Sequence, residues 1–547
     1  MVITPATLLW ALAVPACLVL MSLSVSGPVL SDPTRRALGA PLGEAAAHLW
    51  GLLVAADGLW VDGPFVRVSD AAWPAGFRGD LVDPLHLAVI APLAAVGGRP
   101  GGVLGWNLLP VVSLCLAAAG GGWMGARLGL GRSGQALMAC LLVCSPSFAG
   151  ATVPVGRSEQ LVLGWASLHL AALHAALHEG GNRRVLVAGA TLGLQALGGW
   201  RPLMLLMFLE LPLVLAWSWR PGAWRRALGV GAIGGAIVCP MLLAHRGVEP
   251  WWWTVETWPS PFEHEVSASL PSSLWTVRGS REWMGDPTAN AGRVALVGAL
   301  LGAVRRPRTA AAWALLGLGL WALALGLRVT VGEDVIHGPA AWLSWVVPPL
   351  RAVHGWPRLA PLALIPLAIA SARGLAGVRH APWWTAVLIA SALAEGLTWR
   401  PVGDGFIDAR PPAALEALDA GALVSLPLRP EPGPASQASA DRMLLWAHGL
   451  QRPTSVAPSP WPDSVAPLLG PLRDVGRPSP PRACDPGLAV ALRRAGVGAV
   501  LLHTDQLPHP AVQREAVREV TTQLGPPVAN GPGWFAFGLS QPTGCTR

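Results

Sequence analysis

The run from Leu104 to Ala126, LGWNLLPVVSLCLAAAGGGWMGA, holds no charged residue in 23 positions and is followed by Arg127 and Arg132. As a helix it would be about 34 Å long, enough to cross the ~30 Å hydrocarbon core of a bilayer. Further apolar stretches lie on either side of it, at roughly 7–26, 133–152, 158–178, 184–199, 201–218, 227–245, 289–304, 309–328, 359–374 and 381–399. The pattern predicts an α-helical polytopic membrane protein with about eleven transmembrane helices in residues 1–400.

Composition agrees. Hydrophobic residues make up 52% of the chain, charged residues 13%, and the mean hydropathy is +0.47, beyond what a soluble 547-residue enzyme carries. The absence of Lys and Tyr and the 28 Trp look like compositional drift over the whole chain and carry little functional information. A net charge of +8 would suggest nucleic acid in a soluble protein, but here the arginines gather at the ends of apolar stretches, where they orient helices. Nucleic acid is therefore not an expected partner; the lipid bilayer is.

Placing the amino terminus in the cytoplasm puts Arg127, Arg132, Arg183, Arg184, Arg220, Arg225, Arg226, Arg305, Arg306, Arg308, Arg373 and Arg379 on the inner side, against one acid, Glu179. The outer side then receives loops 27–103, 246–288 and 329–358, an asymmetry that follows the positive-inside rule. This predicts a multi-pass membrane protein with a cytoplasmic amino terminus. The first apolar segment lacks a basic leader and is read as a retained anchor rather than a signal peptide. Pro84 to Gly97, about 14 residues, is too short for a comfortable span and reads as an interfacial or re-entrant helix. The Gly runs at 119–122 and 233–235 read as helix-packing surfaces.

After Trp399 the character changes. Residues 401–547 predict an extracytoplasmic α/β domain, with strands at 422–428, 497–503 and 534–539, helices at 487–495 and 513–524, and Pro-rich loops at 429–434 and 478–481. Cys484 and Cys545 both fall there, where an oxidising compartment would permit a disulfide. The other cysteines lie in predicted spans and behave as small hydrophobes.

The first outer loop, 27–103, carries seven acids between Gly27 and Asp83. Within it, Gly43-Glu44-Ala-Ala-Ala-His48-Leu49-Trp50 opens an amphipathic helical pattern over 44–60, with Leu49, Leu52, Leu53 and Trp60 available to lie against the membrane. Glu44 and His48 are four apart and share a helical face. Asp80, Asp83 and His86 follow the turn Pro74-Ala-Gly76. Asp57, Asp62 and Asp70 read as ordinary solvated acids. Glu44 sits at a helix start next to a span, where the helix N-terminus favours a carboxylate and partial burial would raise its pKa toward the range of a general base; a plain helix-end charge explains it nearly as well. Glu44, His48, Asp83 and His86 have no fixed metal-ligand spacing, so no metal is required, although a divalent cation is compatible with them.

A short anchor, a long acidic outer loop, many further spans and an outer α/β tail together resemble the GT-C superfamily of polyprenyl-phosphate-sugar-dependent membrane glycosyltransferases, and more narrowly its bacterial members with a periplasmic tail. The matching positions are Gly43-Glu44, His48-Leu49-Trp50 and Pro74-Ala-Gly76, with later echoes in Trp106-Asn107-Leu108, Ser145-Pro146, Gly156-Arg157-Ser-Glu159 and Trp356-Pro357-Arg358. Glu44 stands where the superfamily usually has Asp, and Arg157 where it often has His.

The resemblance implies transfer of a sugar from a polyprenyl-linked donor to an envelope acceptor on the outer face. Glu44 would be the base, with Asp80 or Asp83 as alternatives. His48 would contact substrate. Arg157, Arg201, Arg351 and Arg358, at predicted outer ends of spans, would grip the lipid phosphate with paired donors, each with the duller alternative of an interfacial snorkelling residue. The Trp251-Trp252-Trp253 run could stack on a sugar, though an interfacial belt is the commoner use of such residues. The other class of function is a non-catalytic transporter, flippase or scaffold for envelope assembly. A coupled transporter needs ordered ionisable groups near the midplane, and the spans offer chiefly Glu210 and Glu395, with His169 and His174.

Overall fold

The computed structural model describes residues 4–39, 45–58, 84–149, 161–198, 200–244, 292–331, 334–347, 356–398, 406–426, 434–452, 484–507 and 509–539, with single residues or pairs between them. A helix lies in each apolar stretch: α1 (Pro5–Ser26), α3 (Pro84–Arg127), α4 (Arg132–Val143), α5 (Val162–Glu179), α6 (Asn182–Leu197), α7 (Trp200–Trp217), α8 (Ala223–Ala244), α9 (Arg293–Arg305), α10 (Pro307–Ala324), α12 (Ala360–Leu375) and α13 (Ala381–Thr398). Among the described residues of 1–400 two more stand outside them, α2 (Ala45–Gly58) and α11 (Pro339–Val346). Among the described residues, two helices are long and apolar enough to cross a membrane by length and composition: α1, continuing through Val29, and α3. The α4 helix is shorter than its apolar stretch. It stops before Ser145-Pro146, where proline disfavours helix in the residue ahead of it and the Ser145 hydroxyl accepts from the Phe148 N–H.

Helix α12 is apolar on every side, and 14 of its 16 residues are buried, which makes it the core of the bundle. It packs on α4, α9 and α10. Small residues allow this approach: Gly374 lies on Gly302, Gly298 on Ser371 and Gly317 on Leu367. The expected packing role of the glycine runs holds where Gly120 meets Ser167, Gly122 meets Trp10 and Gly234 meets Leu192, while Gly235 faces open space. The outer faces stay apolar and exposed, through Leu12 and Leu23 of α1, Leu211 and Leu215 of α7, and Leu301 and Val304 of α9. Such a surface suits lipid and not water.

The arginine-rich joints meet at one end of the bundle. Glu179 pairs with Arg127 and, at 2.8 Å, with Arg184; Arg226 donates to the Leu177 carbonyl, Arg306 to Ala376 and Arg373 to Thr309. Gly134 touches Ala372, which brings the two groups of joints together. Exposed Trp219, Trp224, Trp383 and Trp384 stand at this end, with Trp342 and Trp345 on α11 at the other, in the manner of interfacial aromatic girdles.

At the opposite end a strand β1 (Arg36–Leu38) pairs antiparallel with β4 (Phe406–Asp408), and β2 (Arg328–Val331) pairs with β3 (Asp334–His337) ahead of α11. Beyond Gly421 the chain forms a mixed sheet from β5 (Ala422–Leu426), β6 (Val497–His503), β7 (Ala529–Gly531) and β8 (Trp534–Gly538), in the order β7-β8-β6-β5, with β5 and β6 parallel. Every residue of β5 and β6 is buried, which is why ALVSL and VGAVLLH read as continuous apolar runs. Helices α15 (Leu488–Arg494) and α16 (Pro510–Leu524) pack on the sheet through a second core that includes Val424, Leu492, Val520 and Phe537. Helix α14 (Pro434–Leu450) is not foreseen from the sequence, because its first turns, PASQAS, carry no apolar stripe and continue a Pro-rich stretch.

Two elements of the first loop differ from expectation. Helix α2 does not present one apolar face to the membrane: Leu49, Trp50, Leu52, Leu53, Val54 and Ala55 are all buried, because α3 covers one side and α14 another. The α3 helix turns back on itself at Gly98, whose φ of 59° and ψ of −149° suit glycine alone. Its limbs 84–97 and 99–127 pack antiparallel, Ile90 on Gly105 and Leu93 on Gly101. The 84–97 limb thus starts beside Gly198 at the end of α6 and reaches the C-terminal region at the hairpin tip, packed on the following limb.

Candidate active site at the first outer loop

The stretch 33–38, which precedes Glu44 in the sequence, is held from two sides. On one edge β1 pairs with β4, reinforced where Arg35 grips Asp408 with Nη2 at 2.9 Å and Nε at 3.2 Å from both carboxylate oxygens. This pair is half exposed, so it guides register more than it adds stability. On the other edge two side chains replace a strand. Asn107 Oδ1 accepts from the Leu38 N–H at 2.8 Å, and its Nδ2 donates to the carbonyls of Pro33 at 2.8 Å and Arg36 at 2.7 Å. Trp106 Nε1 donates to the Leu38 carbonyl at 2.9 Å. Both side chains are buried.

Glu44 itself lies outside the described residues and immediately precedes α2. His48, one turn into α2, is half-buried. Asp80 and Asp83 also lie outside; Asp83 immediately precedes α3, and His86 is buried in the first turn of that helix. Arg157 and Arg351 lie outside as well, as do Pro74 to Gly76 and the Trp251 to Trp253 run. Arg201 has helical backbone as the second residue of α7, and Arg358 lies in the 3₁₀ turn Trp356–Leu359 that opens α12. Among the described residues no group of three or more His, Cys, Asp or Glu could hold a metal ion. Cys484 is disulfide-bonded and five other cysteines are free thiols; Cys545, its expected partner, lies outside the described residues.

The two carboxylates singled out within the spans have assigned partners. Glu395 caps α9, accepting from the N–H groups of Arg293 at 2.8 Å and Val294 at 3.2 Å. Glu210 meets His169 at 3.1 Å.

A cluster with no signal in the sequence joins the loop to the C-terminal region. Arg99, at the hairpin tip, donates to the carbonyls of Ala409 and, at 2.9 Å, Leu445. Asp57 at the end of α2 lies 3.4 Å from His448 of α14. Burial, and secondarily the Arg99 cation, lower the His448 pKa to about 4, so at neutral pH the imidazole stands uncharged beside Asp57. Burial also lowers Arg99, to about 10, against the raising effect of Asp57 and Asp408, and raises Asp57.

Near the same end, Phe208 of α7, Leu315, Leu316 and Leu323 of α10, and Pro339 and Trp342 of α11 line an open apolar cavity of about 650 Å³. The Phe208 ring is 5.5 Å from Trp356, which is fully buried and begins the turn that carries Arg358.

This architecture has counterparts among solved structures. Among solved structures the chain is similar to ArnT from Cupriavidus metallidurans, with a TM-score of 0.56 at 13% identity over 97% of both chains in the apo state. Against ArnT bound to undecaprenyl phosphate the TM-score is 0.53 at 14% identity, over 98% of this chain and 99% of that one. The arabinofuranosyltransferase AftD from mycobacteria matches with a TM-score of 0.52 at 17% identity over 98% of this chain, which spans 42% of AftD's length. No protein-family model and no curated protein matches the sequence.

Proposed function

We propose that the chain is an integral membrane glycosyltransferase that moves a sugar from a polyprenyl-phosphate carrier to an envelope acceptor on the outer face of the bacterial inner membrane. In this reading it crosses the membrane about eleven times with a cytoplasmic amino terminus. Residues 1–400 form the transmembrane domain, and residues 401–547 an extracytoplasmic α/β domain. The observation that carries the reading is the apolar cavity whose lining residue Phe208 packs on Trp356 of the Trp356–Leu359 turn, in a fold matched end to end by a protein solved with undecaprenyl phosphate.

The chemistry assigns roles by charge. An isoprenoid chain would occupy the cavity, and Arg358, with Arg201, Arg157 and Arg351, would hold the phosphate, whose negative charge grows as the bond to the sugar breaks. Glu44, with Asp80 or Asp83 as alternatives, would take the proton from the acceptor hydroxyl as its oxygen attacks the anomeric carbon and polyprenyl phosphate leaves. His48, one helical turn beyond Glu44, would contact substrate. A divalent cation could assist and is not required.

The test is a mass-spectrometric comparison of envelope glycolipids, glycans and glycoproteins from a deletion strain complemented with the native gene or with Glu44→Gln. A missing sugar restored by the native chain alone is expected, with residual transfer lower by about 10²–10⁴-fold for the variant at equal protein level. Equal restoration by both removes Glu44 as the base. No change on deletion favours a transporter or scaffold.

A further inference from the structure

We infer that the joints 305–309 and 373–380 form a binding site for the headgroup of an anionic phospholipid, in the leaflet that meets the arginine-rich end of the bundle. Such a site requires the bundle to lie in a bilayer and is independent of the transfer reaction. The two joints are strapped to each other reciprocally. Arg306, between α9 and α10, donates to the Ala376 carbonyl just after α12 at 2.7 Å, and Arg373 of α12 donates to the Thr309 carbonyl of α10 at 3.1 Å. Gly374 against Gly302 closes the two turns on one another. Both straps end on backbone carbonyls, and the two joints together hold five arginines and no acid. The side chains of Arg305, Arg308 and Arg379 are exposed, and among the described residues none of the three has an acid or carbonyl partner. The neighbouring joints differ, because there Glu179 takes Arg127 and Arg184. Three like charges on two strapped turns repel and lack an internal counter-ion. A phosphodiester supplies the charge together with acceptor oxygens that guanidinium groups meet with paired donors. Leu301 and Val304 of α9 and Trp383 and Trp384 of α13 are exposed within about a turn of these arginines. Apolar and aromatic side chains at that level belong at the membrane boundary, which favours a lipid phosphate over a solute anion.

The probes are dioleoyl phosphatidylglycerol and dioleoyl phosphatidylcholine, which have identical chains. Each is titrated into the delipidated full chain in an uncharged detergent at physiological ionic strength, and bound lipid is counted by native mass spectrometry. The native chain is expected to bind phosphatidylglycerol about 10–100-fold more tightly than phosphatidylcholine. Arg305→Gln, Arg308→Gln and Arg379→Gln should each weaken phosphatidylglycerol by about two- to fivefold, and together remove the preference, with phosphatidylcholine unchanged. The control is the combination of Arg132→Gln, Arg183→Gln and Arg225→Gln, which removes the same charge from three separate joints at the same end. It is expected to leave the preference within about threefold of native, since scattered exposed charges are screened by salt. Equal losses from the two triple variants would show a diffuse attraction and overturn the site, as would equal binding of the two lipids by the native chain. Displacement of phosphatidylglycerol by millimolar inorganic phosphate would make the ligand a solute anion and overturn the lipid assignment. Where the triple variant does not fold, the three single variants decide, and native-like preference in all of them overturns the site.

Discussion

Within the bundle, His169 shows how geometry fixes a proton. Its Nδ1 lies 3.2 Å from the Ala188 carbonyl, which can only accept, so Nδ1 carries a hydrogen. Thr191 Oγ1, 3.1 Å away, spends its own hydrogen on the Ala188 or Val187 carbonyl and accepts from the ring. The opposite nitrogen, Nε2, faces Glu210 Oε1 at 3.1 Å, and two lone pairs at that distance repel. One hydrogen therefore lies between them, on the ring or on the carboxyl group. Three helices are joined by this chain of bonds. Glu210→Gln keeps a donor toward Nε2 and is expected to melt close to the native temperature in detergent, whereas Glu210→Leu strands a buried nitrogen and loses about 1–3 kcal/mol. Equal destabilisation by both would refute the shared proton. Glu210 and Glu395 were visible in the sequence as charges in apolar runs. Their partners were not, because His169 and Arg293 come from helices 41 and 102 residues away.

Among the elements, the hairpin of α3 was the least legible. The Gly97-Gly98-Arg99-Pro100 sequence marked the end of an apolar stretch, but a helix that stops and one that reverses have the same local signal. The reversal is decided by Gly101, where a Cβ would stand 2.0 Å from the Leu93 carbonyl oxygen, and by Gly105 beneath Ile90. Burial of α2 was illegible for a related reason: the pattern 44–60 shows one apolar face, and the second cover comes from α14, whose own signal is weak. By contrast, the tail strands at 422–426, 497–503 and 534–538 were legible because strands buried wholly or nearly so are written as short uninterrupted apolar runs. Gly101→Ala is expected to force the limbs apart and expose the first loop to protease. Gly98→Ala has room for its Cβ and carries only the conformational penalty, about 1–3 kcal/mol. Proteolysis at equal rates in the two variants would mean that the close contact at Gly101 does not hold the hairpin.

For the whole molecule, the alternation of arginine-rich and acidic joints in the sequence anticipated which joints share an end, whereas the docking of the C-terminal region on the first loop left no trace in it. That docking has a pH dependence of definite sign. His448 of α14 is held at about 4, below its ordinary 6.5, by burial and by Arg99, with Asp57 beside it and Asp408 and Arg35 on the adjoining strands. His503, buried at the end of β6, is lowered to about 4 by burial and by Arg442, against the opposing effect of Asp505. A released or unfolded imidazole binds a proton near pH 6.5 and the docked one does not, so stability is complete above 6.5 and falls as the pH drops toward 4. The limit for His448 alone is about 3 kcal/mol. Protease release of the C-terminal region should accordingly be slow and constant above pH 6.5 and accelerate below it. His448→Gln, which cannot take up a proton, should remove the part of this dependence that belongs to the contact with α2 and the hairpin tip, leaving the part due to His503. A native chain whose tail is released at the same rate from pH 7 to pH 4.5 would show that the docked state does not depend on an uncharged His448.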